Sequence, residues 1–287
     1  MARKPKIVDT HFEDLSQYYP PEKEKVTQGV SNRLKLRLDD LKTIKPLTDN
    51  QKLFFDSYSV GEYFMMLSGS AGTGKSFIAL YKSIEECMDK GNSFNQVLIV
   101  RSAVQTRDVG FLKGSLEEKV SIYEDPYIQI CSTLFGKKDA YTRLKEQGYI
   151  DFTTTTAVRG MSFDNSIVIV DECQSMTFHE LSSVITRIGH QSKIIFIGDT
   201  KQNDLIKKTT EVSGLPHFIK VAGTMSEFCR VHFTHEDIVR SGLVKSWIMA
   251  EGKRIFDEIL AVASGKIIKA ERLGQRDFCI FKMHINI

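Results

Sequence analysis

The chain has 287 residues, 41% hydrophobic and 26% charged, with a formal net charge of +3, proportions of a globular protein sized for one large core or one core with a smaller appendage. So small a net charge does not by itself argue for nucleic acid, whose electrostatic footprint is a clustered basic face. Five scattered cysteines without a CxxC pair, and no apolar run approaching about 18 residues, speak against a disulfide framework, a zinc site, a secretion signal and a membrane span, and point to the cytoplasm.

Residues 1–45 are charge-rich, contain Pro20-Pro21 and carry a short leucine pattern at Leu34, Leu36, Leu38 and Leu41. They read as an accessory N-terminal arm, ordered only in part. From Leu47 onward short apolar runs alternate with helical patterns, which predicts a core over residues 46–250. The first run, Tyr63-Phe-Met-Met-Leu67, is followed by Gly69, Ser70, Ala71, Gly72, Thr73, Gly74, Lys75 and Ser76, and then by the helix-compatible stretch Phe77 to Met88. This is the GxxxxGK[ST] pattern in its strand-loop-helix setting. The glycines let backbone N–H groups turn inward around a polyphosphate, Lys75 reaches the β/γ oxygens and Ser76 places its hydroxyl on Mg²⁺, so ATP is the expected ligand. Gln51, just before the first strand, offers an amide that could read the adenine edge.

Further runs follow at Val97–Arg101, Tyr149–Thr153, Ile167–Asp171, Lys193–Ile197 and Glu227–Phe233. The near-continuous apolar stretches Ser166–Val170 and Lys193–Ile197 suit strands buried on both faces, which predicts an α/β fold with a mostly parallel sheet flanked by helices. In such sheets the carboxyl ends of the strands face the ligand crevice. Arg101, Asp171 with Glu172, and Gly198-Asp199 stand at those ends. Asp171 is expected to hold Mg²⁺ and Glu172 to polarise the attacking water, while Gln202 is placed to sense the γ-phosphate. Residues 251–287 are read as a C-terminal helix and tail: Ile255, Phe256, Ile259, Leu260 and Ala263 share one helical face, Gly265 is a plausible stop, and the stretch after Arg276 has no assignable pattern.

With these pieces assembled the chain resembles the PhoH family of P-loop ATPases, whose core is similar to one motor domain of superfamily 1 helicases. The matching stretches are the phosphate loop, Gly110-Phe-Leu-Lys-Gly114 with Glu118-Lys119, Arg159-Gly160 and Asp171-Glu172-Cys173-Gln174. They continue through Thr186-Arg187-Ile-Gly189, Ser192-Lys193, Gly198-Asp199 with Gln202 and Asp204-Leu205, Ser213-Gly214-Leu215, and Asp237-Ile-Val-Arg240-Ser with Leu243-Val244. Lys113, Met161, Cys173 and Ser241 depart from the residues usual in the family. The N-terminal 45 residues leave no room for the nuclease domain fused to some relatives, and the resemblance implies a stand-alone motor of the bacteriophage-encoded kind.

A two-motor helicase closes its site with arginines from a second core, yet only about 80 residues follow Gln202. The charge-neutralising arginine is therefore expected from the last segment or from a neighbour, with Arg240 or Arg187 reaching an adjacent γ-phosphate in a cyclic homo-oligomer, a hexamer as the resemblance implies. Arg101, Arg107, Lys113, Lys119, Arg159 and Lys201 gather donors near the strand ends, and in superfamily 1 motors the equivalent loops touch a single-stranded backbone. The resemblance thus points to RNA or single-stranded DNA as partner. Phe111, Tyr123 and Phe163 are candidates to stack on bases, though core packing suits each of them better. Two other classes stay open: a ring ATPase acting on a protein partner, and a small-molecule kinase, the latter disfavoured by Glu172 beside Asp171.

Overall fold

The computed structural model describes residues 35–102, 122–158, 160–199 and 213–250. The chain divides into two units, Met1–Lys35 and Leu36–Ile287. Most of the expected arm and the whole of the 251–287 segment lie outside the described residues. So do Gln202, Arg107, Lys113, Lys119, Arg159, Lys201 and Phe111.

Each apolar run forms a strand: β1 (Phe64–Gly69), β2 (Gln96–Arg101), β3 (Ile150–Thr154), β4 (Ser166–Asp171), β5 (Lys193–Gly198) and β6 (Phe228–Phe233). They make one six-stranded sheet in the order β3-β2-β4-β5-β1-β6, and every neighbouring pair is parallel. The burial pattern follows from that order. The inner strands β1, β4 and β5 are buried along their whole length, whereas the edge strands β3 and β6 include exposed positions, so only the former need uninterrupted apolar sequence.

The period of two along each strand divides the core into two layers. Met65, Leu67, Val97, Ile99, Ile167, Ile169, Ile195 and Ile197 face one side, where they pack with α1 (Asp49–Ser59), α2 (Lys75–Met88), α3 (Asp125–Phe135) and α4 (Ala140–Glu146). Phe64, Met66, Leu98, Val100, Val168, Val170, Ile194 and Phe196 face the other, under α5 (Phe178–Ile185) and α6 (Leu215–Ala222). A last helical stretch, α7, spans 242–250. None of the helices among the described residues is long and apolar enough to cross a membrane.

The core unit starts earlier than the leucine pattern suggests. Leu36 is buried, and its backbone is clasped by Gln147, whose Oε1 accepts from Leu36 N at 2.9 Å and whose Nε2 donates to Leu36 O at 3.1 Å. Residues 36–45 therefore belong with the core rather than with an arm.

All six strands run the same way, so their carboxyl ends share one edge of the sheet. The register aligns Leu67 with Ile197, Ser68 with Gly198, and Arg101 with Asp171. The strand β5 lies between β1, which carries the phosphate loop, and β4, which carries the acids. Two strand spacings separate the backbones of β1 and β4 by about 10 Å across the sheet, and the end of β5 lies between them.

Candidate active site

The loop after β1 is shaped by three left-handed glycines, Gly69 (φ 115), Gly72 (φ 73) and Gly74 (φ 81). At Gly69 the requirement is absolute, because a Cβ there would stand 1.9 Å from the Phe233 carbonyl oxygen of the neighbouring strand. The backbone is knitted across that contact, Ser70 N donating to Phe233 O at 3.0 Å. Gly74 caps α2 in the left-handed region, leaving the first-turn amides of α2 without intrahelical acceptors and therefore suited to an anion.

Lys75 opens α2 and is buried. Its Nζ donates to Gly69 O at 2.9 Å and Ser70 O at 2.7 Å, so the ammonium lies inside the loop it is to serve. Burial lowers its pKa below the ordinary value, against the opposing pull of Asp199, Asp171 and Glu172. Ser76 donates from Oγ to Asp171 Oδ1 at 3.1 Å. The same Oδ1 accepts Glu172 N at 2.9 Å, and Asp171 Oδ2 accepts the Tyr127 hydroxyl of α3 at 2.9 Å. A hydroxyl and a carboxylate of this kind, both oxygen donors, fit Mg²⁺, which takes one or two protein oxygens and keeps most of its waters.

Glu172 has φ 57, a left-handed conformation uncommon outside glycine. Gln174 Nε2 donates to its Oε2, and Arg101 Nη2 stands 4.0 Å from its Oε1. Burial and then the charge of Asp171 raise the pKa of the Glu172 carboxyl, opposed by Arg101, Gln174 and Lys75. A carboxylate made more basic and set beside Asp171 is suited to take a proton from water.

Lys75, Ser76, Asp171, Glu172 and Gln174 line a cavity of about 430 Å³, within the usual range of ligand pockets. Its walls are the phosphate loop, the ends of β4 and β5, and one face of α3 carrying Pro126, Gln129, Ile130 and Thr133. Arg240 also lines it, close above Gly72 of its own chain, while Val239 N donates to Gly72 O at 3.1 Å. Within the single chain, Arg240 thus lies over its own phosphate loop. Arg187 does not line the cavity; it follows α5, and its Nε is buried with no hydrogen-bond partner.

Gln51 differs from expectation. Its Nε2 donates to Thr73 O at 2.9 Å and its Oε1 accepts Leu47 N at 2.8 Å, with the residue buried. The amide thereby ties α1 to the phosphate loop instead of presenting both ends to a base. Phe163 is a core residue, buried beside Val158 and Val168. Tyr123 lies under the Arg101 guanidinium, 5.7 Å from carbon to ring centroid. Three contributions escape sequence reasoning: the Tyr127 hydroxyl on Asp171, the pairing of Arg101 with Glu172, and the bridge from Gln174 to Asp199. Gln174 adjoins the acid pair in sequence, but nothing in local spacing signals Tyr127.

A family model described as PhoH-like protein matches residues 43–251. The PhoH-like protein of Bacillus subtilis (strain 168) is 33% identical over 187 residues, covering 65% of this chain and 57% of that protein. The PhoH-like protein of Mycobacterium bovis is 29% identical over 213 residues, covering 73% of this chain. The chain spans 58% of the length of that relative. Among solved structures, the Pif1 helicase from Candida albicans is similar at 16% identity with a TM-score of 0.31, over 82% of this chain and 47% of the helicase.

Proposed function

The chain belongs to the PhoH-like protein family, and from that premise we propose that it hydrolyses ATP and couples the turnover to binding or remodelling RNA or single-stranded DNA in the cytoplasm. The observation that carries the reading is the convergence of Ser76, Asp171 and Glu172 beside a glycine-shaped amide cradle. Loop amides and Lys75 bind the phosphates, and Ser76 with Asp171 would hold Mg²⁺. The metal, when bound, neutralises charge on the β- and γ-phosphate oxygens. Glu172 orients a water and accepts its proton as the water oxygen bonds to the γ-phosphorus and the bond to the bridging oxygen of ADP breaks. Arg240, over the loop of its own chain, supplies positive charge as that bond breaks. Gln202 remains our candidate for sensing the γ-phosphate.

We assign the quaternary form to a ring, a hexamer, in which Arg187 meets a neighbouring subunit. Arg240→Ala is expected to lose hydrolysis with nucleotide binding kept, and mixing it with Lys75→Ala should restore nothing if Arg240 acts within its own chain. Recovery in the mixture would transfer the role to the subunit interface.

The test of the coupling is an ATPase assay titrated with single-stranded RNA and DNA at two salt concentrations. Stimulation that weakens steeply as salt rises is the expected result, because phosphate contacts release counterions. Turnover indifferent to both nucleic acids would favour a ring ATPase acting on a protein partner, and absence of turnover would overturn the reading.

A further inference from the structure

The Glu172 carboxylate has a partner at each oxygen, a hydrogen bond from Gln174 and a 4.0 Å ion pair with Arg101, and each partner is anchored on a different strand end. Gln174, which donates to Oε2, receives Asp199 N on its own Oε1 at 3.0 Å, just after β5. Arg101, which faces Oε1 at 4.0 Å, closes β2, where it pairs in register with Asp171 of β4 and Thr154 of β3. Its other terminal nitrogen donates to Tyr123 O at 3.4 Å while the guanidinium rests over the Tyr123 ring. Arg101 is thus fixed by its strand, a carbonyl and an aromatic face before it meets the glutamate.

This pairing accounts for the backbone of Glu172. A left-handed non-glycine residue is strained and persists only where its surroundings over-determine it. Side chains alternate along β4, so an extended residue 172 would project to the face opposite Asp171. The left-handed turn redirects the carboxylate to the rim shared by Arg101, Gln174 and the phosphate loop. Sequence spacing offers Arg101 to a nucleic-acid backbone, but the guanidinium points inward to the acid instead.

We propose that Arg101 is a positioning residue that acts on hydrolysis through Glu172, with Gln174 as the second partner, so that the end of β2 sets the aim of the water-activating carboxylate. The inference rests on Glu172 being that carboxylate. Its consequence is a mechanical link: a shift of the β2 end moves the base, while the phosphate loop on β1 is untouched.

The experiment is a double-mutant cycle on the full chain, with single-turnover rates and nucleotide affinity measured for the parent, Arg101→Ala, Arg101→Lys, Glu172→Gln and Arg101→Ala/Glu172→Gln. Arg101→Ala should lower kcat about 10- to 100-fold with KM and ADP affinity within about threefold, the signature of an interaction expressed in the transition state. Arg101→Lys should recover part of the loss, since it returns the charge without the planar fork. The double variant should turn over no more slowly than Glu172→Gln alone, because a residue that acts only through Glu172 has nothing left to position. A parental rate for Arg101→Ala, a parallel fall in ADP affinity, or a double variant slower than Glu172→Gln by the full Arg101→Ala factor would overturn the proposal. If Arg101→Ala does not fold, Arg101→Gln, close in length, takes its place in the same cycle. A Glu172→Gln protein as fast as the parent would instead sink the hydrolytic reading on which the cycle is built.

Discussion

Asp171 accepts three hydrogen bonds on one carboxylate, from the Ser76 hydroxyl, the Glu172 amide and the Tyr127 hydroxyl. Such a side chain has little freedom, and in the proposed Mg²⁺ site Asp171 would gain affinity from a partner that fixes its orientation. Tyr127 itself is buried, and burial followed by the Asp171 charge pushes its hydroxyl well above its ordinary pKa, so it stays a donor. Tyr127→Phe should therefore raise the Mg²⁺ concentration needed for half-maximal ATPase activity about 10-fold, read from an Mg²⁺ titration, with the fold intact by circular dichroism. Glu172→Gln keeps shape but removes the proton acceptor of the proposed hydrolysis. Its kcat should fall by about 10²- to 10⁴-fold while the affinity for ATP, measured by calorimetry, changes little.

At the scale of elements, α5 is anchored by its first turn. Thr177 Oγ1 accepts Glu180 N and Thr177 N donates to Glu180 Oε2 at 2.8 Å, a reciprocal cap. The other oxygen of Glu180 takes the hydroxyls of Ser102 at 3.1 Å and Thr155 at 2.7 Å, beyond the ends of β2 and β3. Burial pushes this carboxyl up, but the bonds from Thr177, Thr155 and Ser102 outweigh it and leave the pKa below the ordinary 4.5. A depressed carboxyl stabilises the fold above its unfolded pKa, and the contribution disappears as pH falls through the lower folded value. Glu180→Gln should cost about 1–3 kcal/mol at neutral pH and flatten the loss of stability below pH 4.5, both measurable by urea unfolding across pH. An unchanged acid limb would show that the cap carries no charge-dependent stability.

Over the whole molecule, the sheet is the common wall of two cores, and Phe196 sits at the centre of one. It is fully buried, with ring centroids 6.1 Å from Phe64 and 4.6 Å from Phe218. Its strand neighbours Ile195 and Ile197 face the opposite core. Phe196→Ala should destabilise the protein by about 3–5 kcal/mol, seen as a lower midpoint in denaturant, because the aligned strands cannot collapse into the cavity. The parallel sheet and its two-sided burial were legible in advance, though its strand order was not: a run such as Lys193–Ile197 has no polar alternation and must be covered on both faces. The placement of the helices α3 and α4 was not, since neither carries a motif to mark which strand ends it lies against.

The sequence by itself determined the phosphate loop, the acid pair and the parallel α/β sheet, because each is written in contiguous residues whose spacing obeys local backbone geometry. Only the tertiary structure decided which side chains meet across long separations. Tyr127 and Asp171 are 44 positions apart and Arg101 and Glu172 are 71 apart, yet each pair meets. Gln51 turned from a base reader into a tie on the loop, Arg240 came to lie over its own phosphate cradle, and Arg101 turned toward Glu172. The physical reason is the same for all three. Direction of a side chain depends on which strand end or helix lies beside it, and that neighbour is set by sheet order rather than by distance along the chain.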